Sequence, residues 1–251
     1  MSKNRPFVLT IAGFDPTGGA GVLADVKTFE QHHVYGLGIN TGNTIQTEDE
    51  FFKIDWTDLD FVLTSVEKLF KNYTIKAVKI GIIPSLDYLK KIIDAIKRLS
   101  SKTKIVWDTV LKSTTEFDFL NIKNQSALIE ILKTVDLITP NYNEILQFSS
   151  TKKNPRLIAQ ELSNYCSVLL KGGHNPEETG FDYLYTEQSV FRLVPNHNSV
   201  HEKHGSGCVL SSAITANIAL GLDFRTACTN AKKYTENYLL TNSTQLGFHY
   251  V

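Results

Sequence analysis

Short apolar runs alternate with amphipathic segments along almost the whole chain. The runs have the length of buried strands, and the segments between them carry apolar residues at helical spacing. The predicted strands span 7–12, 35–40, 51–54, 75–80, 104–107, 135–138, 167–170, 181–185 and 190–194. The predicted helices span 22–33, 59–70, 86–99, 122–134, 155–164, 209–220 and 224–240, with a further short helix opening at 143.

This alternation, with its short connections, predicts a parallel sheet covered by helices on both faces. A two-strand hairpin around Glu187 and Gln188 makes the expected sheet mostly rather than entirely parallel. No linker, low-complexity stretch or internal repeat divides the 251 residues. The sequence therefore predicts one α/β domain over residues 1–251.

Composition narrows the class of protein. Hydrophobic residues make up 42% and charged residues 21% of the chain, as in ordinary globular domains. The 26 basic and 26 acidic residues cancel, so overall charge gives no reason to expect nucleic acid or a membrane as partner. Cys166, Cys208 and Cys228 lack the paired spacing of a disulfide framework or a zinc site. No signal peptide or apolar run of about 18 residues is seen, so a cytoplasmic location is expected.

The strongest candidate for chemistry is a short segment that precedes a predicted helix. It consists of His204, Gly205, Ser206, Gly207 and Cys208. Its glycines let the backbone bend sharply and approach a ligand closely. Free N–H groups and the positive end of the helix dipole suit such a helix start to an anion. Cys208 falls in the first turn, where a thiol pKa can drop below about 8.5 and the group can act as a base or hold a proton.

The first glycine-rich loop of the chain, 13–21, links the first strand to the first helix. It occupies the place of a ligand loop in α/β proteins, but has neither a Walker A sequence nor a complete G-x-G-x-x-G. Asp25, one turn into the helix, either complements the helix dipole or accepts a hydrogen bond from a substrate hydroxyl or amine. Gln46 lies in 41–47, a polar segment typical of a solvated loop, and offers the donor and acceptor that an aminopyrimidine edge requires.

Polar residues also follow several later strands. They are Asp108, Asn141, Glu144 and Lys171. A carboxylate such as Asp108, at the carboxyl end of a central strand, points into the ligand crevice of this kind of sheet. Structural interpretations remain open: a helix cap for Asp108, a dipole complement for Glu144 and a solvated strand end for Lys171. His174 and His204 are interpreted as structural or as supporting neighbours of the site.

Six motifs in the chain match one family in the same order. They lie in 12–29, 79–81, 108–110, 139–144, 171–174 and 204–208. In these motifs the chain resembles the hydroxymethylpyrimidine/phosphomethylpyrimidine kinases of the ribokinase-like superfamily. The resemblance runs from about residue 7 to 220, and six motifs in order are far more specific than any one of them.

The resemblance implies a single ribokinase-like domain, with a central, mostly parallel sheet and helices on both faces. It implies phosphoryl transfer from ATP, with Mg²⁺, to the hydroxymethyl group of 4-amino-5-hydroxymethyl-2-methylpyrimidine. Family members often add a second phosphate to that product, which supplies the pyrimidine half of thiamin diphosphate. The resemblance also implies a homodimer, with a small molecule as the partner that binds in the site.

The resemblance further implies roles for individual residues. Gly13, Asp25 and Gln46 fall where the family holds the pyrimidine. Cys208 falls where the family places its catalytic base, within an anion hole formed by 205–208. The implied site therefore brings the acceptor hydroxyl, its base and the transferring phosphoryl group together at the two glycine loops.

The phosphate side of the implied site lies on the later strands. Asp108, Asn141 and Glu144 fall in the region that manages Mg²⁺ and the phosphates, and Lys171 falls near the nucleotide phosphates. Mg²⁺ keeps several waters and needs only one or two carboxylates, so Asp108 and Glu144 suffice as its protein ligands.

Departures from the family pattern lie mainly on the substrate side. Segments 41–44 and 47–48 flank Gln46 with unusual residues, and 111–117 lacks a glycine-containing loop. Two rival functions stay open. One is a pyridoxal or pyridoxine kinase of the same fold, against which Asp25 and Gln46 argue; the other is a non-catalytic sensor of the pyrimidine or its phosphate, against which the intact segment 205–208 argues. Segments 112–121 and 175–180 are candidates for a lid over the substrate.

Overall fold

The computed structural model describes residues 5–112, 119–120, 122, 124–151, 154–173, 175, 177–197 and 199–250. Within them, the strands are β1 (Phe7–Phe14), β2 (Tyr35–Gln46), β3 (Phe51–Trp56), β4 (Ile75–Ile80), β5 (Lys104–Trp107), β6 (Leu137–Ile138), β7 (Ser167–Leu170), β8 (Asp182–Tyr185) and β9 (Val190–Leu193). The α-helices are α1 (Gly21–Gln31), α2 (Leu59–Asn72), α3 (Leu86–Leu99), α4 (Gln125–Leu132), α5 (Pro155–Leu162), α6 (Ser206–Ala219) and α7 (Phe224–Leu239).

These strands form one sheet in the order β3-β2-β1-β4-β5-β6-β7-β8-β9. From β2 to β7 neighbouring strands run parallel, whereas β3 at one edge and the hairpin β8–β9 at the other pair antiparallel. The strand order reverses at β1, and α/β sheets bind ligands outside the carboxyl ends of the strands near such a reversal. The prediction of a mostly parallel α/β sheet is confirmed.

Helices cover both faces of the sheet. Helices α2–α5 share one apolar cluster with the sheet, and α1, α6 and α7 pack against its other face. Successive side chains of β5 alternate between these layers: Ile105 and Trp107 join the first, and Val106 joins the second. A strand buried on both faces reads as a continuous apolar run, which is why these strands were recognisable from sequence. No helix in the described ranges is long and apolar enough to cross a membrane.

The structure differs from the predicted elements in the polar segment 41–47. It is not a loop, because β2 continues to Gln46 by pairing with the edge strand β3: Gly42 lies opposite Trp56 and Gln46 opposite Phe51. The buried hydroxyls of Thr41 and Thr44 donate to the backbone carbonyls of Ile82 and Phe14, so the strand accommodates polar residues and polarity alone is a poor guide here. The short helix expected from 143 is a 3-10 turn over Ile145–Phe148.

Candidate active site

Two α-helices within the described residues begin without a side-chain cap: α1 follows the glycine-rich loop 13–21, and α6 follows Gly205. Ala20 precedes α1 and Gly205 precedes α6, and neither side chain accepts a hydrogen bond from the helix start. The other described α-helices are capped by Asp58, Ser85, Asn124, Asn154 and Asp223. Uncapped starts leave backbone N–H groups available to bind an anion.

The position of Gly205 brings these two helix starts together. Its φ of +73° lies in the left-handed region that favours glycine. A Cβ at this position would lie 2.1 Å from the carbonyl oxygen of Gly19 and 2.7 Å from the Cα of Ala20. The loop before α6 is therefore in direct backbone contact with the loop before α1.

Cys208 lies in the first turn of α6, is partly exposed and accepts a hydrogen bond from the backbone N–H of Gly21. Burial raises the pKa of its thiol to about 11; Lys79 lowers that pKa, whereas Asp25 and Asp108 raise it further. The helix start alone suggested a lowered pKa, but desolvation and two nearby carboxylates outweigh it. The thiol therefore holds its proton at neutral pH.

Asp25, whose charge acts on Cys208, belongs to a buried polar cluster. Its carboxylate accepts hydrogen bonds from Thr10 at 2.5 Å, Ser212 at 2.6 Å and Lys79 at 2.9 Å. Both side chains of the Lys79–Asp25 ion pair are fully buried. The structure thus places Asp25 where it ties β1, β4 and α6 together, and its carboxylate does not reach the surface for the expected contact with a substrate.

This buried ion pair leads to a prediction about stability. Replacing Lys79 with methionine leaves the Asp25 charge buried without its cation, so the free energy of unfolding is expected to fall by about 3–5 kcal/mol. Urea denaturation of the purified variant measures the change. Adding Asp25→Asn to the same chain is expected to restore part of the loss, because the uncompensated charge is then removed.

Lys76 provides the matched control for that experiment, because it lies on the same strand with its side chain exposed. Lys76→Met is expected to change the free energy of unfolding by no more than about 0.5 kcal/mol. Equal losses for Lys76→Met and Lys79→Met would contradict a special contribution of the buried pair.

Asp108 directly follows β5 and is fully buried. Thr139 donates to its Oδ1 and Ser211 of α6 donates to its Oδ2, each at 2.9 Å. The ammonium of Lys171 lies 3.3 Å from Oδ1. Asp108 caps none of the described helices, so the interpretation as a cap does not hold; its carboxylate instead holds a lysine at the carboxyl end of the sheet.

Lys171 directly follows β7, and its ammonium lies between two carboxylates. Nζ is 3.3 Å from Asp108 Oδ1 and 3.7 Å from Glu144 Oε2. The same atom is 3.5 Å from the point that a Cβ on Gly207 would occupy, so it lies beside the first turn of α6. Burial opposes its charge, but Asp108 and Glu144 outweigh burial and raise the Lys171 pKa above its usual value. A permanent cation beside free helix N–H groups suits a phosphate.

Comparison with known proteins agrees with this geometry. The phosphomethylpyrimidine kinase family pattern matches residues 15–251. The hydroxymethylpyrimidine/phosphomethylpyrimidine kinase of Aquifex aeolicus is 34% identical over 250 residues, which are 96% of this chain and 97% of the relative. The chain belongs to the phosphomethylpyrimidine kinase family. It is therefore a small-molecule kinase.

Other relatives of this kinase extend the comparison. The enzyme of the same description from Escherichia coli is 31% identical, with 83% of this chain and 81% of the relative covered. The solved phosphomethylpyrimidine kinase of Clostridium difficile is 28% identical with a TM-score of 0.78, covering 93% and 99% of the two chains. The pyridoxal kinase of Staphylococcus aureus in complex with AMP-PCP is 25% identical with a TM-score of 0.83, covering 94% and 89%.

Asn141 and Glu144 form a reciprocal cap in the turn beside Lys171. The Asn141 side chain accepts from the backbone N–H of Glu144 at 2.8 Å, and the Glu144 carboxylate accepts from the backbone N–H of Asn141 at 2.7 Å. Such a pair fixes both side chains at the start of a turn. Burial raises the pKa of the Glu144 carboxyl, with Lys171 acting in the opposite direction.

The described residues contain no cluster of three or more His, Cys, Asp or Glu side chains that would hold a metal ion by themselves. Mg²⁺ does not require one, because phosphates and water complete its octahedron around one or two carboxylates. Asp108 and Glu144 are two carboxylates that lie on either side of Lys171.

The predicted substrate side lies at the ends of β1 and β2. Gly13 is buried, and a Cβ there would lie 2.4 Å from the Cδ1 of Ile82. Gln46, the partly buried last residue of β2, donates to Thr44 at 2.9 Å, and Thr44 in turn donates to the Phe14 carbonyl at 2.8 Å. The Gln46 amide is thus oriented beside the loop that follows β1.

Sequence reasoning assigned no role to several polar residues of this kinase site. They are Asp15, Lys79, Ser211 and Ser212. A lysine inside the apolar run of β4 was the available signal for the buried ion pair, since a buried lysine needs a partner. The expected role of His174, and most of the candidate lid at 112–121, lie outside the described residues.

Proposed function

We propose that this kinase transfers the γ-phosphoryl group of ATP to the hydroxymethyl group of 4-amino-5-hydroxymethyl-2-methylpyrimidine, and then adds a second phosphate to that product. The reaction would supply the pyrimidine half of thiamin diphosphate. The observation that carries the proposal is the Lys171 ammonium beside the uncapped first turn of α6. The names of the curated relatives, which include both pyrimidine substrates, support the choice of acceptor.

The anion-binding role falls to the start of α6 and to Lys171. Phosphoryl transfer depends on positioning and charge neutralisation more than on covalent chemistry. The backbone N–H groups of Gly207 and Cys208 would donate hydrogen bonds to the oxygens of the transferring phosphoryl group and so stabilise their negative charge. Lys171, held by Asp108 and Glu144, would neutralise the phosphates without having to move into place. The AMP-PCP complex of the pyridoxal kinase supports ATP as the phosphate donor.

A bound Mg²⁺ would supply positive charge that neutralises the phosphates. Glu144 and Asp108 would hold it, directly or through water. Asn141 would position the Glu144 carboxylate through the reciprocal cap described above. All three residues therefore serve the phosphate side of the proposed site.

The proton of the acceptor hydroxyl would pass to Cys208. A primary alcohol is a poor nucleophile until it is positioned and loses that proton. The thiolate of a cysteine whose pKa is about 11 is a strong base, although little of it is present at neutral pH. Gly13 and Gln46 would hold the pyrimidine ring, with Gln46 offering one donor and one acceptor to its edge.

A kinase assay with three acceptors tests the proposal. Purified protein is given Mg²⁺-ATP with the hydroxymethylpyrimidine, its monophosphate or pyridoxal, and ADP release is measured. Phosphorylation of both pyrimidines is the expected result. Turnover of the first pyrimidine alone would restrict the enzyme to one step, and binding without turnover of any acceptor would favour the sensor.

Pyridoxal kinase is the second candidate function. Several solved structures that resemble this chain are pyridoxal kinases, and the Staphylococcus aureus enzyme superposes with a TM-score of 0.83. Pyridoxal also carries a hydroxymethyl group, so the same phosphate side would serve it. A higher kcat/KM for pyridoxal than for the hydroxymethylpyrimidine would favour this candidate.

We propose that the protein is a homodimer that pairs through the β2–β3 edge. β3 ends the sheet, and Ile45 and Phe52 on this hairpin are 58% and 56% exposed. An exposed edge strand with apolar side chains is a ready interaction surface. Light scattering after size exclusion is expected to give the mass of two chains, and Phe52→Glu is expected to give the mass of one.

Phe61 on α2 is a matched control for that substitution, because it is also exposed, at 66%. Phe61→Glu should leave the mass unchanged. A monomer for the unsubstituted chain, or a dimer that survives Phe52→Glu, would rule out this interface.

We also propose the cytoplasm as the working compartment. Cys166, Cys208 and Cys228 are all free thiols. Free thiols persist in a reducing environment. Fractionation of the source cells, with the protein followed by antibody, tests this location.

A further inference from the structure

Asp15 and His204 join the two glycine-rich loops by a side-chain contact that the proposed mechanism does not use. His204 Nε2 donates to Asp15 Oδ2 at 2.9 Å. The residues are 189 positions apart in the chain, and Asp15 is 1% exposed and His204 7%. A buried bond to a carboxylate across that separation fixes two distant loops relative to one another.

In the first loop, residues 13–21, Asp15 holds the backbone that leads into α1. Its carboxylate accepts hydrogen bonds from the backbone N–H groups of Thr17 at 2.9 Å and Ala20 at 2.8 Å. Burial opposes the carboxylate charge, but the bonds from His204 and Thr17 outweigh it and keep the Asp15 pKa below its usual value. The side chain therefore remains an anion that accepts from both loops.

On the second loop, His204 directly precedes the left-handed Gly205 at the start of α6. Its backbone N–H donates to the carbonyl of Gln245 at 3.0 Å. A Cβ on Gly19 would lie 2.9 Å from the His204 ring, so the imidazole packs on the first loop as well as bonding to it. The histidine is thus held on its backbone side by the C-terminal segment and on its ring side by the first loop.

We propose that Asp15 and His204 are a positioning pair that holds the uncapped start of α6 against the first glycine loop. The inference rests on the proposed roles of these two loops in phosphoryl transfer. If the first loop binds the acceptor and the start of α6 binds the phosphoryl group, the pair sets the distance between the reacting groups. Loss of such alignment lowers the rate more than it weakens ground-state binding.

Cysteine labelling measures the loop contact without any substrate. Cys208 lies between the two helix starts, bonded to the N–H of Gly21, whereas Cys166 and Cys228 are buried elsewhere in the fold. His204→Leu removes the N–H that donates to Asp15 and fills the space of the imidazole with an apolar side chain. Iodoacetamide should then alkylate Cys208 about tenfold faster, with the other two cysteines still protected, as mass spectrometry of the peptides would reveal.

Kinetics and a conservative variant complete the test. His204→Leu is expected to lower kcat by about tenfold to 100-fold while the KM for ATP changes by less than about threefold. His204→Gln keeps an N–H donor and is expected to recover most of the rate and the protection of Cys208. His201→Leu is the matched control, because His201 is exposed three residues earlier in the same segment.

The outcomes separate this inference from the proposed function. Unchanged labelling and kcat in His204→Leu would overturn the positioning pair, as would equal acceleration at all three cysteines, which marks global unfolding. Faster labelling of Cys208 with an unchanged kcat would overturn its role in alignment. If the protein phosphorylates an acceptor other than the pyrimidines, the proposed substrate fails, but labelling and kcat with that acceptor still test the pair.

Discussion

Replacing Cys208 with alanine is expected to lower kcat by about 10²–10⁴-fold, the usual contribution of a general base. The acceptor should still bind, because the proposed pyrimidine contacts come from Gly13 and Gln46. Steady-state kinetics with the hydroxymethylpyrimidine, together with calorimetric binding of that acceptor, separate the two effects. Cys166→Ala is the matched control, since Cys166 is a buried thiol in the apolar cluster of α2–α5, whereas α6 packs in the other cluster.

The pH dependence gives the same prediction a second readout. Burial raises the pKa of the Cys208 thiol to about 11, so the reactive thiolate is a minor species near neutrality. If the thiolate is the base, kcat/KM should rise by about tenfold per pH unit below that pKa, until another step limits the rate. Cys208→Ala should lose that slope. If Cys208→Ala lowers the rate by less than about tenfold and keeps the rise of kcat/KM with pH, Cys208 is not the general base.

Replacing Lys171 with methionine is the substitution with the second-largest expected effect. It removes the cation beside the first turn of α6 and should lower kcat by about 10²–10³-fold, as does loss of one group that stabilises transition-state charge. It also removes the ammonium that lowers the pKa of Glu144, so that carboxyl pKa should rise further above its usual value. Because Glu144 must be ionised for its proposed role in holding Mg²⁺, activity should shift toward higher pH.

Lys104→Met serves as the control for this loss. Lys104 lies at the opposite end of the sheet, at the start of β5, with its side chain half exposed. Its replacement should leave kcat within about twofold, in line with other surface substitutions. If Lys171→Met reduced only thermal stability and kept kcat, the phosphate role of Lys171 would have to be abandoned.

The elements of the fold were largely readable from the sequence, for a physical reason. Strands of a parallel sheet are buried on both faces, so β1, β4, β5 and β7 are mostly apolar along their length, and α3 carries apolar residues at helical spacing. The second half of β2 was not predicted, because its polar residues lack a strand pattern and its extended conformation depends on pairing with β3.

The candidate site was only partly readable. The order of the motifs indicated the family. Asp108, Glu144 and Lys171 follow predicted parallel strands, and residues that follow parallel strands lie at the same edge of the sheet. The exposure of Asp25 and the pKa of Cys208 could not be read in this way. Both depend on which charges the fold buries next to one another, and Lys79 lies 54 residues from Asp25 in the chain.

The sequence by itself determined the class of fold, the two glycine loops and the identity of the chemical groups. These follow from local patterns: apolar periodicity, glycine at helix starts and polar residues at strand ends. Only the tertiary structure decided that Asp25 is a buried counter-ion, that Cys208 keeps its proton at neutral pH, and that His204 bonds to Asp15. Desolvation and charge pairing act through space, so contacts between distant parts of the chain set them.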